Sequence, residues 1–190
     1  MTQKTSTKER ILEESMNLFA IYGFDSVSVR SIASKVGVRD SALYKHFKSK
    51  KEIFDAIVNE SRHKFYKKYE ELGICKCEKS DFVDVCMSMF KFQTEDEWVV
   101  KFRQMLIIEQ FKNPQISEIY KELFIDMPVN NQAKVFENLM QANIIKRNNP
   151  VVMAMELYSP FFMLHTISDK SNYEKVLREH TENFMKIYLN

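Results

Sequence analysis

Arg39, Asp40, Ser41, Tyr44, Lys45 and His46 crowd into residues 39–46. Each of these side chains donates or accepts hydrogen bonds, and the longer ones reach far enough to touch a phosphate or a base edge. Arginine can pair with guanine O6 and N7 in two bonds, and aspartate can accept from cytosine N4. Carried on the outward face of one helix, such a set is what reading the major groove of DNA requires. The same residues allow a plainer use. Arg39 and Asp40 could cap the helix or pair with each other, and Tyr44 and His46 could pack inside the module.

These side chains need a frame, and the surrounding spacing supplies one. Val29, Ile32, Ala33 and Val36 recur at helical intervals behind Ser28, a capping residue type. Gly37 follows, where a left-handed residue can end a helix. A second helix then starts near Arg39 and turns Leu43 and Phe47 inward. Two helices about a short glycine-containing turn make a helix-turn-helix. Upstream, Ser6 to Glu9 forms a capping box before Leu12, Met16, Phe19 and Ala20, one face of a first helix that ends near Gly23. Three helices result. Residues 1–5 read as a loose arm; Lys4 and Lys8 permit DNA contact from it, although a solvated tail is the plainer reading.

Ser28 and Lys50 stand at helix N-termini, where free N–H groups and the helix dipole favour an anion. With Tyr44, Lys45 and His46 they form the phosphate-contact candidates. Ser49 to Glu52 is a second capping box, opening a long fourth helix through Ile53, Phe54, Ile57, Val58, Phe65, Tyr69 and Leu72 to Gly73. About 22 residues at 1.5 Å each span roughly 33 Å, enough to join two bodies rigidly. This helix is the candidate lever between them.

The stretch YGFDSVSVRSIASKVGVRDSALYKHFKSKKEIF resembles the DNA-binding domain of the tetracycline-repressor (TetR/AcrR) family of transcription regulators. The matching positions are Tyr22-Gly23-Phe24, Val29, Ile32-Ala33, Gly37-Val38, Leu43 to Phe47 and Ser49 to Glu52. Val27 replaces the family's usual Thr. Arg39-Asp40-Ser41-Ala42 opens the second helix where the family often has Ser-x-Gly or Ser-x-Ala-Thr, which points to a different operator rather than a different fold. The resemblance adds Arg30 as a base-contact candidate and supports Ser28, Tyr44, Lys45, His46 and Lys50 at the backbone. It implies an all-α chain with a helix-turn-helix DNA-binding domain at 1–50, joined by a long helix to a ligand-binding and dimerisation domain at 51–190. The implied function is a homodimeric repressor, paired through its last two helices and released from its operator by a small, mainly apolar effector. A regulator whose second domain binds a protein partner, or no ligand, is the alternative.

The second domain is rich in Phe and Met. Phe82 to Phe90 gives one helix, Trp98 to Phe111 another ending at Asn113-Pro114, and 115–126 a third closed by Pro128. Further helices cover about 129–142, from Pro150 to about Ser168 with a kink at Pro160, and about 171–189. Candidate ligand contacts are Phe90, Phe102, Met105, Glu109, Phe136, Met140, Tyr158, Phe162 and His165, although for any one aromatic residue an ordinary core position is the simpler expectation.

Composition excludes several classes. With 3 Gly in 190 residues, most glycine-dependent catalytic turns cannot be built. No phosphate-binding Gly loop, nucleophile elbow or His-Glu-x-x-His occurs, and residues 80–190 hold no polar catalytic cluster, so no enzyme and no cofactor are expected. Residues 1–52 carry ten Lys/Arg against six Asp/Glu, a charge of +4, which leaves −2 of the total +2 for the remainder. A basic end on a slightly acidic body fits nucleic-acid binding. Cys75-x-Cys77 with Cys86 lacks zinc-site spacing, His63 has no companion ligand, and no metal is expected. The odd cysteine count, the polar N-terminus and the absence of a spanning apolar run place the chain in the cytoplasm.

Overall fold

The computed structural model describes residues 6–74, 79–167 and 173–190; Cys75 and Cys77 lie outside them. The described elements are α1 (Thr7–Tyr22), α2 (Val29–Val36), α3 (Asp40–Leu43), α4 (Lys50–Glu71), α5 (Phe82–Glu95), α6 (Glu97–Glu109), α7 (Pro114–Lys121), α8 (Met127–Gln141), α9 (Pro150–His165) and α10 (Tyr173–Tyr188). The fold is all-α, with a single isolated bridge, between Ile145 and Leu189, among the described residues. The chain divides into two compact units, Met1–Lys64 with Glu97–Tyr120, and Phe65–Asp96 with Lys121–Asn190. Residues 51–64 and α6 therefore belong by contact to the unit that holds the helix-turn-helix.

In the first unit α1 packs on α6 and on α2. Its core is formed by Ile11, Met16, Phe19, Ile32, Ala33, Leu43, Ile53, Ile57, Phe102, Met105 and Leu106, all buried. Local chemistry sets the helix ends. Ser6 and Glu9 close a reciprocal capping box, and Ser28 accepts from the Ser31 N–H. Gly37 takes φ 76° and ψ 35°, a left-handed residue that ends α2. At α4, Glu52 N–H donates to Ser49 Oγ at 3.1 Å, while the Glu52 carboxylate accepts from the Lys48 N–H at 2.6 Å.

The second unit packs α5, α8, α9 and α10 about Phe82, Phe90, Phe136, Met153, Leu157, Leu177 and Phe184. Phe136 lies 5.9 Å from Phe82 and 5.4 Å from Phe184, ring centre to ring centre. Asn149 caps α9, with Pro150 in its first turn.

Two local expectations change. The second helix of the helix-turn-helix is regular for only four residues, Asp40–Leu43. The chain keeps coiling beyond it, because Phe47 N–H still bonds the Leu43 carbonyl at 3.1 Å. Pro128 opens a helix and does not close one. A π-helical turn, Glu122–Asp126, carries α7 into α8, and the first turn of α8 tolerates a residue without an N–H. Pro160 sits within α9, which runs on to His165.

Candidate nucleic-acid interface and ligand cavity

The outward face of the helix-turn-helix is open. Ser28, Arg30, Arg39, Asp40, Ser41, Tyr44, Lys45 and His46 are all exposed. Arg39 occupies the N-cap of α3 without a side-chain capping bond. Among the described residues, no side-chain hydrogen bond or ion pair engages Arg30, Arg39, Asp40, Ser41, Tyr44, Lys45 or His46. The capping and mutual-pairing alternatives for Arg39 and Asp40 are thus not what the structure adopts. Tyr44 is about half exposed.

Lys50 differs from these. It is half-buried, and its ammonium donates to the Phe24 carbonyl at 2.7 Å and to the Asp25 carbonyl at 3.2 Å. The ammonium also lies 4.3 Å from the centre of the Phe24 ring. Phe24 in turn packs between Phe19, at 5.3 Å, and Phe54, at 5.1 Å.

The turn at residues 23–25 is anchored from α6 as well. Glu109, buried, accepts the Phe24 N–H on Oε1 at 3.0 Å. Gly23 has φ 79° and ψ 160°, a region that only glycine occupies readily. A Cβ there would lie 2.2 Å from Glu109 Oε1. Arg10 Nη2 donates to the Val36 carbonyl at 2.5 Å and fastens the end of α2 to α1. The reading face is therefore free at its tips and held at its base.

A cavity opens within the second unit between α4, α5, α8 and α9. Its lining includes Tyr69, Cys86, Met89, Phe90, Gln93, Asn131, Gln132, Leu157, Tyr158, Phe161 and His165, and its open space is about 60 Å³. Phe90 meets Phe161 edge-on at 5.7 Å, and the His165 ring lies parallel to that of Phe90 at 6.3 Å. Phe162 touches this group from outside, 6.1 Å from Tyr158 and 6.4 Å from His165. Tyr158 donates its hydroxyl to the Phe124 carbonyl at 3.0 Å. Burial pushes the Tyr69 phenol far above its usual range, against a smaller opposing pull from its hydrogen bond with Asn131. That group stays protonated at any ordinary pH.

Of the ligand candidates, Phe90, Tyr158 and His165 come together on this wall. Phe136 lies in the core beside it and Met140 is half-buried against that core. Phe102, Met105 and Glu109 belong to the first unit, the first two as core and Glu109 as the anchor of the turn. Tyr69, Gln93, Asn131 and Gln132 line the cavity without any local signal in the sequence. Among the described residues, no group of His, Cys, Asp and Glu could hold a metal ion, and no helix is long and apolar enough to cross a membrane.

Residues 11–57 match the family model described as bacterial regulatory proteins, tetR family. Over 148 residues the chain is 20% identical to the HTH-type transcriptional repressor KstR2 of Mycolicibacterium smegmatis, covering 75% of this chain and 67% of that protein. The match to the regulator UidR of Escherichia coli is 26% identical and covers 63% of this chain and 60% of UidR. The chain thus spans two thirds or less of the curated relatives' length. Among solved structures, a TetR-family regulator from Mesorhizobium loti superposes with a TM-score of 0.74 at 18% identity, over 98% of this chain and all of that one. A triclosan complex of SmeT, the repressor of a Stenotrophomonas maltophilia efflux pump, gives 0.73 at 19% identity, over 98% of this chain and 93% of SmeT. These likenesses establish the fold. With the open helix-turn-helix face, residues 11–57 are identified as the DNA-binding domain of the tetR family of bacterial regulatory proteins, and the chain around that domain has the fold of the TetR-family regulators.

Proposed function

We propose that the chain is a homodimeric repressor whose residues 1–50 read an operator and whose residues 51–190 sense a small molecule and pair two copies. The observation that carries the reading is the array of Arg30, Arg39, Asp40, Ser41, Tyr44, Lys45 and His46, exposed and, among the described residues, without side-chain hydrogen bonds or ion pairs, above a tightly held base. Arg30, Arg39, Asp40 and Ser41 face base edges; Ser28, Tyr44, Lys45 and His46 face the phosphates. Lys50 acts one step back by holding the turn at Phe24 and Asp25.

The cavity supports effector control. Tyr69 on its wall and Lys50 at the DNA-binding end both belong to α4. An occupant that fits only one position of α4 shifts the population of DNA-competent heads, and what matters is its differential affinity for the two states. SmeT, with the same fold, has been solved with triclosan bound. Pairing is supported by apolar side chains left outward on the last two helices: Val152, Met155 and Met163 on α9, Val176 and Ile187 on α10. A regulator of genomic DNA works in the bacterial cytoplasm.

Fluorescence anisotropy on DNA from upstream of the protein's own gene, against a scrambled duplex at two salt concentrations, tests the reading. Tight, sequence-preferring binding that survives moderate salt is expected. Equal, weak and salt-labile binding to that duplex and to every duplex recovered by selection would overturn it. Light scattering at micromolar concentration should give a dimer; a monomeric mass would overturn the pairing.

A further inference from the structure

The chemistry of the cavity narrows what can occupy it, and this step rests on the reading that the cavity takes an effector. Three features converge. Phe90, Phe161 and His165 pack on one another at 5.7 Å and 6.3 Å and line the space with aromatic surface, against which another flat ring can pack. Among the described residues, no Asp, Glu, Lys or Arg lines the space. An ion entering it would lose its water with no Asp, Glu, Lys or Arg to meet it, which is costly in a mainly apolar site. The third feature is Gln132 Nε2, a buried donor without a hydrogen-bond partner among the described residues. A buried donor left unmatched is destabilising, and a site built around one discriminates strongly for a ligand that supplies the acceptor.

We propose that the cavity binds an uncharged, ring-bearing molecule with one acceptor oxygen, which Gln132 Nε2 meets, and that it rejects ions of either sign. The open space of about 60 Å³ holds roughly four waters at ~15 Å³ each. A single substituted ring fits with small adjustments, and a larger occupant must push Met89 and Leu157 aside. That displacement, next to Tyr69, is how size becomes a signal on α4.

Acetophenone, ethylbenzene, benzoate and benzamidinium share one ring and differ in acceptor and charge. Each is titrated into the full chain carrying ¹³C-methyl methionine, with the Met89 methyl resonance as the reporter and melting temperature as a second readout. Acetophenone should shift the Met89 methyl and raise the melting temperature; ethylbenzene should do so more weakly, and the two ions not at all. Gln132→Leu should weaken acetophenone about tenfold and leave ethylbenzene unchanged. Either ion binding as tightly as acetophenone overturns the exclusion of charge, a comparison that needs no variant. An unchanged ratio of acetophenone to ethylbenzene in Gln132→Leu overturns the role of Gln132. If none of the four moves Met89, the cavity is not a ligand site and both readings fall. Acetophenone that binds at Met89 yet leaves the protein on its operator in the anisotropy assay overturns effector release alone, and the ligand class stands.

Discussion

The reading face and the cavity solve opposite problems. At residues 28–46 the backbone is held by short-range bonds, such as Ser28 to Ser31 and Gly37 to Ala33 and Ser34, and among the described residues the side chains of Arg30, Arg39, Asp40, Ser41, Tyr44, Lys45 and His46 are left without hydrogen bonds or ion pairs. In the cavity the side chains themselves are the structure. Tyr158 bonds Phe124, 34 residues away, and Tyr69 bonds Asn131. The difference teaches where function can be altered without altering the fold. Among the described residues, tip residues such as Arg39 and Lys45 make no side-chain hydrogen bond or ion pair, so their loss should register mainly on DNA. A cavity residue packs and senses at once, so its loss mixes stability with recognition.

The largest effect should come from Phe102→Ala. Phe102 is fully buried in the unit that carries the reading face, with Met105 and Leu106 beside it in sequence and equally buried. Truncation should lower unfolding free energy by about 3–5 kcal/mol, seen as a fall in the urea midpoint. A loss under about 1 kcal/mol would mean that the base of the reading face is not the rigid part.

Two glycines sharpen the same contrast. Gly23→Ala forces a side chain into a glycine-only region and against Glu109 Oε1, displacing the acceptor of the Phe24 N–H. About 3 kcal/mol of stability should be lost. Gly37→Ala meets nothing within 4 Å, and only its left-handed backbone resists, at about 1 kcal/mol. Equal midpoints for the two variants would show that Glu109 does not clamp the turn. Arg39→Ala, at a tip, should leave the urea midpoint in place and cost about 1–3 kcal/mol of preference at one base pair. A uniform loss across all duplexes in a binding selection would refute base reading there.

The sequence revealed the reading face because its signals are local. A capping serine, a glycine at the helix end and apolar residues three and four apart fall within twenty or so positions. Most helices of the second unit were legible for the same reason. The cavity was not, because Tyr69, Gln93 and Gln132 join Phe90, Tyr158 and His165 only when α4, α5, α8 and α9 pack, and the first three carry no local mark. Phe102, Met105 and Glu109 misled in the reverse direction. Aromatic, sulfur and acidic residues on an apolar stripe look alike whether they face a core, a cavity or a neighbouring turn. Pro128 misled because proline closes a helix from outside and is tolerated in the first turn of the next; the π-helical turn at Glu122–Asp126 brought those two places together.

Lys50 is where the two kinds of region meet, and it gives the smallest and most discriminating test. Its place at the N-terminus of α4 suits a phosphate, yet its ammonium is already bonded to the Phe24 and Asp25 carbonyls and lies over the Phe24 ring. Moving it to DNA would break those bonds. Lys50→Met keeps the apolar stem and removes the charge. Stability should fall by about 1 kcal/mol. The dependence of DNA affinity on salt should hardly change, whereas Lys45→Met, at an unengaged tip, should reduce the salt slope by about one ion. If Lys50→Met reduces the slope as much as Lys45→Met does, the ammonium leaves the turn on binding. Lys50 would then belong to the reading face, and the turn at residues 23–25 would be held in the DNA complex by Glu109 alone.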